Sequence, residues 1–380
     1  MHANPFSDDE LGARLTRVRA EMAARDLDLL LLTAPENVFY LTGLDHWGYF
    51  APHLLAVPVE GEMTLITRAM ERVAIANMVR NARFAGHSDT ETVADIAARV
   101  LAGPPSRRIG LEMDTAGLSL ALGQALQAGI PGHWQDATGM VDRLRLVKSP
   151  AEQALMRRAA KASDAGMRAA IATLADGSSE AEAAAACLAA MTRAGGTPPG
   201  FGPFIRPEAR IAEEHTSWGT GRYRTGERVF LELAGCVARY NAPMGRLVHL
   251  GTLRDEDAAM AELAKQAFDA ILAAMRPGVA AGDVYQAWQD VVDTAGMPGY
   301  RRHHCGYLVG IGFPPSWTGG NRVTGLRPDS TLILETGMTF HAMSWFTETG
   351  RGDWFVSNTV LLGPEGAEIL TTTDPGPTLR

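Results

Sequence analysis

Apolar residues recur at helical spacing at Leu11, Leu15, Val18 and Met22, which predicts an amphipathic helix over Asp8 to Arg25. The aliphatic run Leu27 to Thr33 reads as a buried strand, and a helix leading into such a strand opens an α/β layer. ENVFYLTGLDHWGYFAPHLLAVPV and GEMTLIT predict aromatic-rich strands divided by a loop at Gly43 to Gly48. Helices are expected over Met70 to Asn81, Asp95 to Leu101 and Leu118 to Ala128, with a strand at Arg108 to Glu112. This part of the chain reads as a mixed sheet with helices packed on it.

The pattern changes at Ser149. A serine that can cap, Pro150 at the first helical position and Glu152 three residues on form a helix start before a long amphipathic run. We therefore place a domain boundary there, giving domains 1–148 and 149–380. A second helix over Ser179 to Arg193 ends at Gly195-Gly196, and Thr197 to Pro207 reads as a Pro/Gly loop. Helices follow over Asp255 to Met275 and over Asp283 to Ala295, the latter capped by Asp283. Strand-like segments close the chain: RHHCGYLVGIGF, then a loop from Pro314 to Gly320, then LILETGMTFHAMSWF and DWFVSNTVLLG. Helix pairs alternating with strand pairs indicate an α+β domain with antiparallel sheet, built as two βαα-type halves.

The stretch from His215 to Arg246 holds the first candidate chemistry. Val229 to Leu233 is an apolar run interrupted by Glu232, and a carboxylate inside a buried strand is costly unless something pairs with it. Past Gly235 a short strand should run to Tyr240, with Pro243 and Gly245 breaking pairing beyond. His215 precedes Glu232 by a turn-rich segment, so the two could meet across a hairpin as an acid/base pair; a structural hydrogen-bonding role for Glu232 is the alternative.

Composition narrows the classes. With 380 residues, 46% hydrophobic and 21% charged, the chain is an ordinary globular protein long enough for two cores. No apolar run approaches the roughly 20 residues of a membrane span, and the N-terminus lacks the apolar segment of a signal peptide, so a cytoplasmic protein that does not engage membranes is expected. A formal net charge of -8 without a basic stripe argues against nucleic acid. Cys187, Cys236 and Cys305 have no CxxC spacing and read as buried small hydrophobes.

Motifs exclude more than they identify. There is no GxSxG elbow, Walker loop or HExxH, and Gly310-Ile311-Gly312 runs into Pro314-Pro315 rather than a dinucleotide-binding helix. His303, His304, Tyr307, His341 and Asp353 lie in or beside the last strands, but His303 and His304 as strand neighbours would face opposite sides and could not share one site. The carboxylates are too few for a two-metal centre, so no metal and no cofactor are expected. Trp317, Trp345, Trp354, Phe346 and Phe355 read as core or as walls that could box a small cation.

These pieces together resemble the pita-bread fold of aminopeptidase P, prolidase, methionine aminopeptidase and creatinase. LRLVKSPAEQALMRRAA is similar to that family's boundary segment, which implies an N-terminal creatinase-like α/β domain followed by a pita-bread catalytic domain. Family peptidases bind two metals through two Asp, one His and two Glu. By the resemblance these positions fall on Glu232 in FLELAG, Pro243 before Arg246, Tyr307 in GYLVG, Met343 in GMTFHAMSW and Ser357 in FVSNTVLL. Proline and methionine cannot replace bridging carboxylates for a hard cation. The wording NVFYLTGLDHWGYF, ELAGCVARYNAP and GYLVGIGFPPSW looks like the metal-free branch of creatinase and ectoine hydrolase, with departures at Asn241, where a His is expected, and at Ser357, where a Glu is expected.

The resemblance implies a metal-independent hydrolase of a carbon-nitrogen bond in a small amidine, guanidine or amide. His215 would transfer the proton, and Glu232 would bind an amidinium or attack its carbon. Tyr240, Tyr307, His341 and one of His303 or His304 would orient the small-molecule substrate, and Trp47 and Tyr49 would close the site, from the same chain or from a homodimer partner. An Xaa-Pro peptidase with a divergent metal site of Glu232, His341 and His303 is one alternative; a catalytically inactive binding or dimerising protein is another.

Overall fold

The structure is a computed structural model that describes residues 4–320 and 323–380. Two compact units divide the chain, the first reaching Arg145 and the second covering Leu146–Gly319 and Val323–Arg380.

In the first unit, α1 (Asp8–Ala24) is followed by β1 (Leu29–Leu32), α2 (Pro35–Thr42), β2 (Leu54–Pro58), β3 (Met63–Arg68), α3 (Arg72–Met78) and β4 (Ala82–His87). Then come α4 (Val93–Val100), β5 (Arg108–Leu111), α5 (Leu120–Gly129), β6 (His133–Asp136) and α6 (Met140–Leu144). The six strands form one mixed sheet in the order β4-β3-β2-β1-β5-β6. All four leucines of β1 are buried, as a strand covered on both faces requires.

ENVFYLT is helix rather than the expected strand. Pro35 sits in the first turn, where its missing N–H costs nothing, and Gly43 ends the helix at φ 71 with its N–H on the Phe39 carbonyl. Glu36 through Thr42 are all buried, so α2 has no polar face to mark its period.

The second unit begins with α7 (Pro150–Thr173), started by the Ser149 and Glu152 capping box read from the sequence, and α8 (Glu180–Arg193), which a second box of Ser179 and Glu182 starts. Next come β7 (Phe204–Pro207), β8 (Arg228–Val237), β9 (Tyr240–His249), α9 (Asp255–Ala274), α10 (Ala281–Thr294), β10 (Gly306–Leu308), β11 (Thr339–Phe346), β12 (Trp354–Gly363), β13 (Gly366–Ile369) and β14 (Thr378–Leu379). The sheet runs β10-β11-β12-β9-β8-β7, with β13 on β12 and β14 on β9. Each half is a helix pair followed by a hairpin, α7-α8 with β8-β9 and α9-α10 with β11-β12, so the halves are of ααββ order rather than βαα. The N-cap of α10 is Ala280, which places Asp283 inside the first turn rather than at the cap.

Two further departures bear on the site. Part of the expected loop before Pro207 is the edge strand β7, paired with β8 from Phe204 opposite Glu232 to Pro207 opposite Val229. Pro243 and Gly245 do not break pairing either, because β9 runs in register with β8 from Tyr240 to His249. The ladder to β12 holds only at Gly245 and Arg246; at Pro243 the carbonyl instead accepts the Thr359 hydroxyl at 2.7 Å. Pro243 thus sits where the neighbouring ladder has already ended, and a Cβ on Gly245 would overlap the Phe355 ring. Gly235 has a matching role on the other face: any side chain there would strike the α7 backbone at Ala159 and Ser163, whose hydroxyl accepts the Gly235 N–H at 2.7 Å.

Candidate active site

One face of the second sheet borders a cavity of about 370 Å³. Glu232 on β8, Arg206 on β7, Tyr307 on β10 and Met343 with Trp345 on β11 form its sheet-borne walls. Phe201, Phe204, His215, His303, His304 and Trp317 add walls contributed mainly by loops.

One imidazole organises the interior. His341 lies opposite Tyr307 on one side and opposite Thr359 on the other, and it is fully buried. Its Nδ1 is 2.9 Å from the Tyr307 hydroxyl, its Nε2 is 2.7 Å from Ser357 Oγ, and Nε2 is 4.0 Å from Glu232 Oε1. Trp317 Nε1–H donates to the Tyr307 oxygen at 2.9 Å. With that donor in place, Tyr307 O–H is free to donate to Nδ1, which leaves the ring proton on Nε2, toward Ser357 and Glu232. Burial first, then the neighbouring His304 and the Arg246 charge, hold His341 neutral by lowering its pKa to about 3. Burial raises the Tyr307 phenol well above its usual value, so it stays protonated.

Glu232 differs from everything around it. Its side chain is 14% exposed, and it makes no hydrogen bond to any described residue. Burial raises its carboxyl to about 7, opposed by Arg206 and reinforced by Glu214. A carboxyl without donors, facing a cavity, is poised to ionise when a cationic group arrives.

The sequence-predicted residues do not all gather here. His215 lines the cavity from an exposed loop in the left-handed conformation, φ 59, which is uncommon for a residue with a Cβ. No hydrogen bond or ion pair among the described residues joins it to Glu232, which faces His341 instead. His303 and His304 both line the cavity, their rings 4.1 Å apart, contrary to the opposite-face expectation. The strand starts only at Gly306, so strand alternation does not apply to them. Burial lowers His303 and takes His304 to about 3. Tyr240 is not among the lining residues; its buried hydroxyl donates to Glu152 at 2.7 Å. Trp47 and Tyr49 belong to the first unit, where Trp47 is 60% exposed and Tyr49 donates to the Leu44 carbonyl, whereas every lining residue of the cavity comes from the second unit. Asp353 pairs with Arg228 at 3.5 Å. Trp317 and Trp345 are cavity walls, while Trp354 stacks on His249 and Phe346 on Trp288.

Arg206 was not singled out from sequence. The only signal was one cation in GPFIRP, two residues from Phe204 and so on the same strand face.

The two-metal arrangement does not fit these donors. Glu232, Tyr307 and Met343 line the cavity and Ser357 faces it through His341, offering one carboxylate, one protonated phenol, a thioether and a hydroxyl. Among the described residues no group of three or more His, Cys, Asp and Glu is placed to hold a metal ion. Hard divalent cations need several anionic oxygens, and these positions supply a single carboxylate.

Comparison with known proteins gives the same architecture. Residues 14–147 match the creatinase/prolidase N-terminal domain and residues 154–364 match metallopeptidase family M24. The ectoine hydrolase of Halomonas elongata is 30% identical over 394 residues, covering 96% of each chain. An uncharacterized hydrolase/peptidase of Sinorhizobium fredii is 29% identical and covers 97% of each chain. Among solved structures, the Xaa-Pro dipeptidase of Bacillus anthracis superposes with a TM-score of 0.84 at 19% identity, covering 97% of this chain and all of that one.

Proposed function

Since the chain belongs to metallopeptidase family M24, we propose that it hydrolyses a carbon-nitrogen bond in a small amidine, guanidine or amide, and does so without a metal ion. The observation that carries this reading is the placement of His341. Its neutral imidazole lies among Tyr307, Ser357 and Glu232, three of the positions at which the resemblance puts metal ligands. The similarity to an ectoine hydrolase over 96% of the chain supports a non-peptide substrate.

In hydrolysis, an oxygen bonds to the planar carbon, the carbon-nitrogen bond breaks, and the departing nitrogen takes a proton. Glu232 pairs with the amidinium through charge-assisted hydrogen bonds, and its raised pKa returns toward normal beside that charge. His215, on the loop beside Phe201 and Phe204, delivers the proton to the leaving nitrogen. The Tyr307–His341–Ser357 chain holds the ring in place beside Glu232, and the aromatic walls exclude water. Glu232 can also supply the attacking oxygen. The carbon-nitrogen bond then breaks as His215 protonates the nitrogen, and water cleaves the Glu232 adduct to release product and restore the carboxylate. An acid-quenched turnover would show that adduct by intact-protein mass spectrometry.

Proton NMR of chelator-treated protein with ectoine, 5-hydroxyectoine, creatine and an Xaa-Pro dipeptide tests the reading. Loss of an amidine or guanidine signal without added metal is the expected result. Cleavage of the dipeptide alone, and only after manganese is restored, overturns it in favour of a peptidase. Line broadening of one compound without turnover points instead to a binding protein.

A further inference from the structure

Arg206 is a buried guanidinium that feels the charges of Glu232, Glu214 and Glu213 but is bonded to none of those carboxylates. It is 1% exposed, yet it lines the cavity. Its Nη1 donates to the Glu213 carbonyl, its plane lies 4.1 Å from the Phe230 ring centroid, and its Nε has no hydrogen-bond partner among the described residues. No carboxylate of the described residues forms an ion pair with it. Burying such a charge is expensive unless something pairs with it. A backbone carbonyl and a ring face offset only part of that cost.

Strand register sets the guanidinium beside the Glu232 carboxyl. Arg206 pairs opposite Phe230 and Phe204 opposite Glu232, so Arg206 and Glu232 are diagonal neighbours on one face of the β7-β8 ladder. A carboxyl and a guanidinium stand at two points of one cavity without being bonded to each other. Phe204, a lining residue, pairs opposite Glu232, and the buried Phe230 ring lies against the Arg206 guanidinium. The volume of about 370 Å³ suits a compact ligand.

We propose that Arg206 is a carboxylate anchor, so that the substrate is a small zwitterion whose carboxylate pairs with Arg206 while its amidinium, guanidinium or amide end lies at Glu232. The proposal rests on reading this cavity as a carbon-nitrogen hydrolase site. Arg206 then sets both affinity and orientation: with the acid end fixed, the carbon to be attacked can lie only at the Glu232 end.

Matched pairs differing only in the carboxylate test this directly. Ectoine is compared with 2-methyl-1,4,5,6-tetrahydropyrimidine, the same amidine without the acid, and creatine with 1,1-dimethylguanidine. Binding is measured by calorimetry and turnover by NMR, with wild-type protein, Arg206→Lys and Arg206→Gln. The wild-type protein should prefer the acid of the accepted pair by at least about tenfold in Kd and in KM, as a charge-assisted bidentate contact implies. Arg206→Gln should bring that ratio close to one by weakening the acid alone, and Arg206→Lys should restore part of it. Ectoine methyl ester gives the same readout in wild-type protein if the variants fail to fold. Equal handling of acid and neutral partner by the wild-type protein overturns the Arg206 inference while leaving the hydrolase reading intact. So does an acid preference that survives in Arg206→Gln. Silence from both pairs, in binding and turnover, overturns both.

Discussion

Two buried glutamates have the same shifted acidity and opposite surroundings. Glu112 in the first unit and Glu232 in the second are each raised to about 7, burial being the largest cause for both. Glu112 accepts the backbone N–H groups of Thr33 and Ala34 at 3.0 and 3.1 Å and the side-chain amide of Asn37, whose own oxygen accepts from Arg145 at 2.7 Å. Asp142 beside it adds to the rise, while the hydrogen bonds oppose it. Glu232 has no such donors and faces a cavity, with the His341 ring 4.0 Å away. A perturbed pKa alone therefore does not mark a catalytic group. What separates the two is whether the carboxyl oxygens are already satisfied: Glu112 ties β5 to the start of α2, and Glu232 is left for a ligand.

Neutralising each carboxyl breaks that comparison most sharply. Glu232→Gln should lower turnover by at least about three orders of magnitude, since it removes the cation's partner or the nucleophile, while the protein stays folded. Glu112→Gln should leave kcat/KM within about threefold and cost stability instead, on the order of 1–3 kcal/mol, because the amide cannot accept every donor now aimed at the carboxylate. Steady-state kinetics and thermal melts on both variants decide the matter; retained activity in Glu232→Gln would remove its assigned role.

Truncating the imidazole sharpens the contrast at the next level of effect. His341→Ala removes the shared partner of Tyr307 and Ser357. We expect kcat to fall by about 10²-fold with a smaller change in KM, the signature of lost positioning rather than lost binding. Asn37→Ala in the first unit removes a comparable buried donor and should change only the melting temperature. If His341→Ala behaves like Asn37→Ala, the Tyr307–His341–Ser357 chain is structural as well.

Much of this is legible in the sequence alone. The Ser149, Pro150 and Glu152 signal marks the start of α7 because capping is local chemistry. Glu232 stood out because a charge in an apolar strand is costly wherever the strand lies. Other features depended on tertiary contacts. ENVFYLT reads as strand because all-round burial erases helical periodicity, and Pro243 reads as a breaker because only the register shows that the β9-β12 ladder ends there. The joint exposure of His303 and His304 to the cavity depends on where β10 begins. Tyr240 is an apt site residue by type, but its hydroxyl goes to Glu152 on the helix side of the sheet hairpin. Arg206 was the least visible, since one arginine before a proline looks like a loop end until β7 pairs with β8.

The smallest expected effect is the pH dependence of stability, which separates the two glutamates through linkage. A carboxyl raised from 4.5 to about 7 in the folded protein holds a proton that the unfolded chain releases. Its contribution is therefore fully present below about pH 4.5 and is lost as pH rises through about 7. For each group the full swing is at most on the order of 3 kcal/mol, from roughly two and a half units at about 1.4 kcal/mol each. Without ligand, both should lower the melting temperature as pH rises from about 4.5 to about 7, and Glu112→Gln and Glu232→Gln should each remove part of that slope. Saturation with the amidine or guanidine identified by NMR should erase the share belonging to Glu232, because the cation favours its ionised form, and should leave the share belonging to Glu112 unchanged. A slope that ligand does not alter in wild-type protein would mean that Glu232, like Glu112, faces no cation.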